Sequence, residues 1–298
     1  MEYILHIIIM LNIYILLILS ANLPTGLANL LSICQAAFYG IGAYFSAYFL
    51  LHWNLPFVVV ALAVMILTGI CSLVVSFAAT RLKGDYFVLA TLAFQMIVFT
   101  VLYNWTDVTS GPYGIAGIPS IKLFGIIAVS GVLGYFLLST AVMLIVVFLF
   151  GNIKSSPYGR VLNAIRNDEL AVLSMGRNPV KFKNWAFFLS AAFSSLAGLL
   201  YASYISYIDP TSFTIDESIF ILTALFIGGT GNVKGPIAGA LFVVIVPEIL
   251  RFVGLPNAVE ANLRQIIYGL TLVLVMFFSP QGLWGKTQNH KSKSLIHS

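Results

Sequence analysis

Arg160, Arg166, Asp168, Glu169, Arg177, Lys181 and Lys183 all fall between positions 160 and 183, in a sequence of 298 residues that is 60% hydrophobic and only 8% charged. So much charge held in one window of an apolar chain asks for a reason. Other chemistries find little support. The stretch closest to a phosphate-binding loop, GTGNVKG at Gly229 to Gly235, has Gly after its Lys and lacks the Gly-Lys-Ser/Thr ending, so the chain is not expected to hydrolyse ATP itself. Cys34 and Cys71 stand in or beside apolar runs and make neither a disulfide framework nor a metal site. No catalytic residue and no metal ligand is assigned. The apolar runs also lack the buried Asp, Glu or His relay of a proton-coupled carrier. His6 and Glu248 come nearest, His6 as a packed or interfacial side chain and Glu248 as a partner for Arg251.

The elements that hold the charged cluster lie in a membrane. Mean hydropathy is +0.99, and no soluble core could hide that much apolar surface. A spanning helix takes about 20 apolar residues, and such runs lie near 3–20, 35–51, 55–79, 86–103, 124–150, 185–203, 216–229, 237–253 and 264–279. They are continuous rather than alternating, which favours helices over barrel strands. The expected fold is an all-α integral membrane protein, a polytopic bundle of about eight to nine transmembrane helices in one domain over residues 1–298. The segment ANLPTGLANLLSIC, 21–34, carries no charge to fix its side, and as a re-entrant segment it would lower the count from nine to eight. Met1 to His6 lacks the basic residues of a secretory leader, so the first run is read as a retained helix.

Basic residues set the orientation. With the 81–85 loop inside, Arg81, Lys83, Lys154, the 160–183 cluster, Lys234, Lys286, Lys291 and Lys293 share the cytoplasmic side, leaving Lys122, Arg251 and Arg264 outside. The net charge of +5 is then a topology signal and gives no argument for a nucleic-acid partner. On this reading residues 154–184 are the longest cytoplasmic loop and 285–298 a polar cytoplasmic tail. Trp53, Trp105, Trp185 and Trp284 lie near run ends, as an interfacial belt requires.

A helix from Arg160 to Met175 would gather Val161, Leu162, Ile165, Val172, Leu173 and Met175 into an arc of roughly 160°, with Arg166 at its edge and Asp168 and Glu169 inside it. Two unpaired carboxylates on a buried face are costly, so something must bring matching polar or basic groups. Gly176 is read as the helix stop, and RNPVKFKNW as an extended, proline-containing return to the membrane. One reading is an amphipathic helix lying on the membrane, its basic residues near anionic headgroups. The other is a docking element for a cytoplasmic partner, which the two acids, the stop and the extended return favour.

YGRVLNAIRNDELAVLSMG, Tyr158 to Gly176, resembles the cytoplasmic coupling loop of the branched-chain amino acid permeases, the transmembrane subunits of binding-protein-dependent ABC importers. The general importer pattern has Glu-Ala-Ala and then Gly after three residues, whereas here Glu169-Leu170-Ala171 is followed by Gly176 after four. LSICQAAFYGIGAY (31–44), RLKGDYFVLATLAF (81–94), GPYGIAGIP (111–119), SSLAGLLYASYISYIDPTSF (194–213) and GGTGNVKGPIAGALF (228–242) resemble further segments of the same family, in order. The resemblance implies an ABC importer permease fold, multi-pass in the cell (inner or plasma) membrane with a cytoplasmic C-terminus. It implies a second homologous permease, two cytoplasmic ABC ATPases that use ATP and Mg, and an extracytoplasmic substrate-binding protein, with no cofactor bound by this chain. The cargo it implies is the branched-chain amino acids Leu, Ile and Val. It gives Arg160, Ile165, Arg166, Asp168, Glu169 and Gly176 the role of coupling to the ATPases.

Candidates for the substrate path are Gln35, Gly111, Tyr113, Gly114, Gly228, Gly229 and Gly231. Glycine in a membrane either lets helices pack closely or breaks a helix so that its end meets ligand. Gly235-Pro236-Ile237-Ala238-Gly239 reads as packing. The run 216–229 is short and ends in Gly-Gly, which reads as a discontinuous helix whose free backbone N–H groups face a carboxylate. Helix ends, apolar walls and no fixed charge suit a zwitterion with an aliphatic side chain. They also suit another amino acid or a small neutral solute such as urea or an amide, and a self-sufficient carrier or channel is the alternative of a different class.

Overall fold

The computed structural model describes residues 2–53, 55–79, 81–82, 84–123, 127–128, 131–252 and 257–278. Lys83, Trp284 and the tail 285–298, with Lys286, Lys291 and Lys293, lie outside the described residues. The helices are α1 (Glu2–Ala21), α2 (Gln35–Trp53), α3 (Phe57–Ala79), α4 (Asp85–Asn104), the single turn α5 (Thr106–Thr109), α6 (Gly131–Ser155), α7 (Pro157–Asn167), α8 (Glu169–Ser174), α9 (Pro179–Ile205), α10 (Ile215–Gly228), α11 (Lys234–Phe252) and α12 (Asn257–Phe278). Five of the described helices, namely α1 with the turn that prolongs it to Leu27, α3, α4, α6 and α9, are long and apolar enough to cross a membrane. The chain is a polytopic helical membrane protein.

Helix α9 is the axis of the bundle, buried along most of its length against α1, α2 and α3. Small residues let the backbones meet: a Cβ added at Gly198 would lie 2.4 Å from the Tyr39 carbonyl oxygen of α2. Side chains that face away from these contacts on α3, such as Leu62, Ile66 and Val74, are exposed and apolar, as a lipid-facing surface must be.

One expectation needs correction. The run 124–150 does not begin as a helix: Ile127–Ala128 (β3) pairs antiparallel with Lys122–Leu123 (β2), and α6 starts only at Gly131. A short apolar stretch interrupted by glycine fits strand and helix equally by periodicity, so the pattern could not separate them. The segment 21–34, which carried no charge to fix its side, forms no spanning helix of its own. Leu23–Leu27 is a π-turn prolonging α1, and residues 29–34 are irregular, with Leu30, Ser32 and Cys34 buried. They lead back to Gln35, whose Nε2 donates to Ser190 Oγ (2.9 Å) near the middle of α9, so α2 starts at mid-depth. Glu248 accepts a hydrogen bond from the Tyr3 hydroxyl; the side chain of Arg251, its expected partner, lies outside the described residues.

The bundle has two distinct ends. At one, the start of α4 shares a cavity with Ile165, Arg166, Glu169 and Lys183, and Arg166 reaches the 229–233 turn. This is where the basic loops gather. At the other, Ile115–Ala116 (β1) pairs with Tyr207–Ile208 (β4), and His6 Nδ1 meets the Tyr204 hydroxyl at 2.7 Å.

Candidate functional site

The charged loop is built from two short helices rather than one. Ser156 caps α7 by accepting from the Gly159 N–H (3.2 Å), with Pro157 at its first position, where a missing N–H costs nothing. Val161, Leu162 and Ile165 are buried and Arg160 is exposed. Helix α7 ends at Asn167 because Asp168 turns extended (φ −156°, ψ 108°) and accepts from the N–H groups of Leu170 (2.8 Å) and Ala171 (3.2 Å). A short carboxylate that can satisfy two orphan donors competes with continuing the helix. The expected single helix 160–175 is thereby corrected: Asp168 is an exposed cap, not a buried acid.

The break also re-aims the second half of the apolar arc. Val172 stays buried, but Leu170, Leu173 and Met175 are 71%, 50% and 77% exposed. Gly176, at φ +75°, sits where a side chain would be strained, and the Arg177 N–H returns to the Val172 carbonyl (3.3 Å), closing the end of α8. The return to the bundle is helical, not extended. Asn178 caps α9 through the Val180 N–H (3.0 Å), and Pro179 is the first residue of that helix.

Glu169 is where the second correction falls. Its carboxylate receives Lys183 Nζ at 2.8 Å, with the lysine side chain 6% and the glutamate side chain 33% exposed. The base that the buried acid calls for comes from α9 of the same chain. Arg166, half-buried, donates from Nη1 to the Gly26 carbonyl in the π-turn (2.7 Å). A cavity of about 780 Å³ lies between these groups, the irregular residues Ala28 to Leu31 and the start of α4. Tyr158 anchors the base of α7: its hydroxyl donates to the Phe182 carbonyl (2.9 Å), and burial raises its pKa far above the usual phenol value.

The substrate-path candidates do not come together. Gly111, Tyr113 and Gly114 lie at the far end, where Tyr113 is exposed and a Cβ on Gly114 would meet the Ile208 carbonyl oxygen at 2.3 Å. Gly228 packs on Gly235, with an added Cβ 2.0 Å from the Gly235 oxygen, so these positions bring α10 and α11 into backbone contact. The run ending in Gly228-Gly229 presents a helix C-terminus. The N-terminus that follows is capped, with Asn232 Oδ1 accepting from the Gly235 N–H. Gly231 donates its N–H to Asn22 Oδ1 (2.8 Å), and Asn22 Nδ2 donates to the Asn232 carbonyl (2.7 Å).

Gln35 alone enters a buried polar cluster. Ala36 N–H bonds Ser218 Oγ (2.9 Å), Ala37 N–H bonds Gln95 Oε1 (2.7 Å), and Gln95 Nε2 donates to the Phe213 carbonyl (2.9 Å). Gln35 Oε1 has no partner among the described residues. Gln95→Leu leaves the Ala37 donor and the Phe213 acceptor unpaired in the interior, about 1–3 kcal/mol for each. The expected outcome is a clear fall in the thermal unfolding temperature of the purified protein in detergent, which Gln95→Glu should share.

Lys183, Gly26, Asn22, Asn232 and Gln95 were not distinguished by sequence reasoning. The available signal was polarity out of place: Gln95 interrupts the apolar run 86–103, Asn22 sits four residues before Gly26, and Asn232 follows Gly231 near a break.

The described residues form a polytopic helical bundle with a two-helix charged loop clamped against one end. The family whose profile matches residues 3–276 is described as branched-chain amino acid transport system / permease component. The chain belongs to that family, and so is a transporter permease subunit rather than an enzyme. It is 33% identical to the high-affinity branched-chain amino acid transport system permease protein LivM of Escherichia coli, over 93% of this chain and 68% of that protein. A probable branched-chain amino acid transport permease protein LivM of Methanocaldococcus jannaschii is 28% identical over 76% of this chain and 69% of its own. The ribose import permease protein RbsC of Haemophilus influenzae is 27% identical over 39% of this chain and 37% of its own. No solved structure is a significant match.

Proposed function

We propose that this chain is one of two homologous permeases of an ATP-driven importer that carries leucine, isoleucine and valine from an extracytoplasmic binding protein across the cell membrane. The names of the LivM relatives support the cargo. The observation that carries the coupling role is the exposed apolar face of α8. Leu170, Leu173 and Met175 stand in water beside exposed Asp168 and Arg177, on a helix pair that is nonetheless fixed to the bundle core. Such a patch on an otherwise charged loop fits a docking surface for an ATPase. Nucleotide-driven movement of two ATPases then reaches the bundle through α7 and α8. Arg160 and Asp168 are the surface contacts, Ile165 and Val172 the keel that seats the pair, and Glu169 and Arg166 its ties to the core. The basic end, with the tail after Gly285, faces the cytoplasm.

The test is uptake of radiolabelled leucine into proteoliposomes holding this chain, its partner permease, the ATPases and the binding protein. The reading expects uptake only with ATP inside and binding protein outside, and competition by isoleucine and valine. Leucine uptake by this chain alone, driven by an ion gradient, would contradict it. Replacing Leu170, Leu173 and Met175 together by Ser should release the ATPases while leaving the chain folded, since none of the three is buried; unchanged co-purification of the ATPases would show that this face is not the dock.

A further inference from the structure

The cavity of about 780 Å³ at the basic end is closed towards the bilayer centre by Ala28, Asn29, Leu30 and Leu31, and walled on the loop side by Ile165, Arg166, Glu169 and Lys183. Its roof is unusual for membrane depth. Residues 29–34 make no helix, and Asn29 takes φ +55°, yet Ser32 and Cys34 are 1% and 0% exposed. Irregular backbone at this depth is tolerated only where protein buries it or where it lines a path. Few bonds hold it among the described residues: Leu30 N–H to the Pro24 carbonyl (3.0 Å), Thr25 Oγ1 to the Leu30 carbonyl (3.2 Å), Ile33 N–H to Thr91 Oγ1 (3.2 Å), Ser32 Oγ with Cys34 Sγ (3.1 Å) and the Phe38 N–H to the Cys34 carbonyl (3.4 Å). A segment with so few ties can open locally at lower cost than the helices around it.

The roof begins at a hinge, and the hinge is held from two sides. Leu23–Leu27 is a π-turn, with the Leu27 N–H reaching the Asn22 carbonyl at 3.2 Å, the kind of loosened turn that marks functional bends. The α10–α11 turn holds Asn22, the residue just before the hinge, through the two Asn22 side-chain bonds. Helix α7 holds its middle through Arg166 Nη1 on the Gly26 carbonyl (2.7 Å). Arg166 passes so close to Gly231 that a Cβ there would lie 2.9 Å from Nη1. The guanidinium is therefore confined between the hinge and the turn, and a displacement of α7 moves Gly26 directly.

We propose that residues 28–34 are the inner gate of the substrate path, that the cavity beneath them is the chamber into which the amino acid is released, and that Arg166 is the positioning residue through which α7 and α8 open the gate. The proposal rests on the ATP-driven reading above and adds a moving part and a place of release to it. Arg166 touches no substrate in this role. Its function is to convert movement of the docked loop into displacement of Gly26 and the roof that follows.

The chain carries its own reporter, since Cys34 is the last residue of the gate before α2 and is fully buried here. The assembled transporter in proteoliposomes would be exposed on its ATPase side to a membrane-impermeant maleimide, and modification of Cys34 itself read by mass spectrometry. Labelling should be slow at rest and rise about tenfold during turnover with ATP, binding protein and leucine, as local opening ends its protection. Arg166→Ala should abolish that rise and increase the ATP hydrolysed per leucine transported by about tenfold, whereas Arg166→Lys, which keeps a donor, should restore most of both. Cys34 that stays protected throughout active, ATP-driven transport would overturn the gate while leaving the importer reading intact, and that arm needs no variant to fold. Normal coupling in Arg166→Ala would overturn the role of the arginine. Wild-type uptake that proceeds without ATP would remove the importer reading and the gate with it.

Discussion

Exchanging Glu169 for arginine is expected to abolish transport, and the reason lies inside the chain as much as at the partner surface. Lys183 is almost wholly buried, and Glu169 is its counter-ion at 2.8 Å. Removing one member of a buried pair costs on the order of 3–5 kcal/mol, and somewhat less here because a third of the glutamate side chain remains in water. Arginine adds repulsion to that loss. Helix α8, six residues long and tied to α9 by this pair, should detach and carry its apolar face away from the proposed dock. Leucine uptake should fall at least about tenfold, while the protein still inserts and purifies, because the long helices pack without α8. Glu169→Gln, which keeps an acceptor but loses the charge, should be intermediate. The exchanged pair Glu169→Lys with Lys183→Glu should recover part of the activity. If the exchanged pair is no better than Glu169→Arg, the ion pair is not what seats the helix.

The second large effect concerns the bundle itself. A Cβ on Gly239 would lie 2.0 Å from the Ala224 carbonyl oxygen and 2.8 Å from its carbon, and both are backbone atoms that no rotamer change can move aside. Gly239→Ala therefore forces α10 and α11 apart. Overpacking of a core costs about 1–3 kcal/mol, and contact with backbone belongs at the upper end of that range. The purified variant should unfold at a distinctly lower temperature or fail to give a monodisperse peak in detergent. Gly151 in α6 is the matched control: nothing lies within 4 Å of its missing Cβ. Gly151→Ala should leave stability unchanged or raise it slightly, as alanine favours a helix over glycine by about 0.5–1 kcal/mol. Equal stability of the two variants would refute the close approach of α10 and α11.

Most helix positions could be read from apolar runs alone. The run 86–103 became α4 at Asp85–Asn104, and 3–20 became α1 at Glu2–Ala21, because a long continuous apolar stretch has one solution in lipid. What could not be read is where short polar side chains overrule the pattern. Asp168 looks like a helical residue by periodicity, and only its choice to cap Leu170 and Ala171 splits the loop and swings Leu173 and Met175 into solvent. The Glu169–Lys183 pair was equally hidden: both residues were visible as charges, but their meeting depends on α9 beginning at Pro179, where the sequence suggested extended chain. Arg166 on Gly26 spans most of half the chain and leaves no local trace. The glycines around 228–239 were legible as packing or as path. The distances between backbones favour packing.

The central claim is that α7 and α8 form a dock for separate ATPases, seated by Glu169. The most direct test is to purify the tagged chain from its own membranes in mild detergent and identify what elutes with it by mass spectrometry, for wild type and Glu169→Arg in parallel. The account predicts a second permease and ATPases bearing complete Walker motifs with the wild-type chain, and loss of the ATPases but not of the permease with Glu169→Arg. A chain that elutes alone and still carries leucine after reconstitution would contradict it.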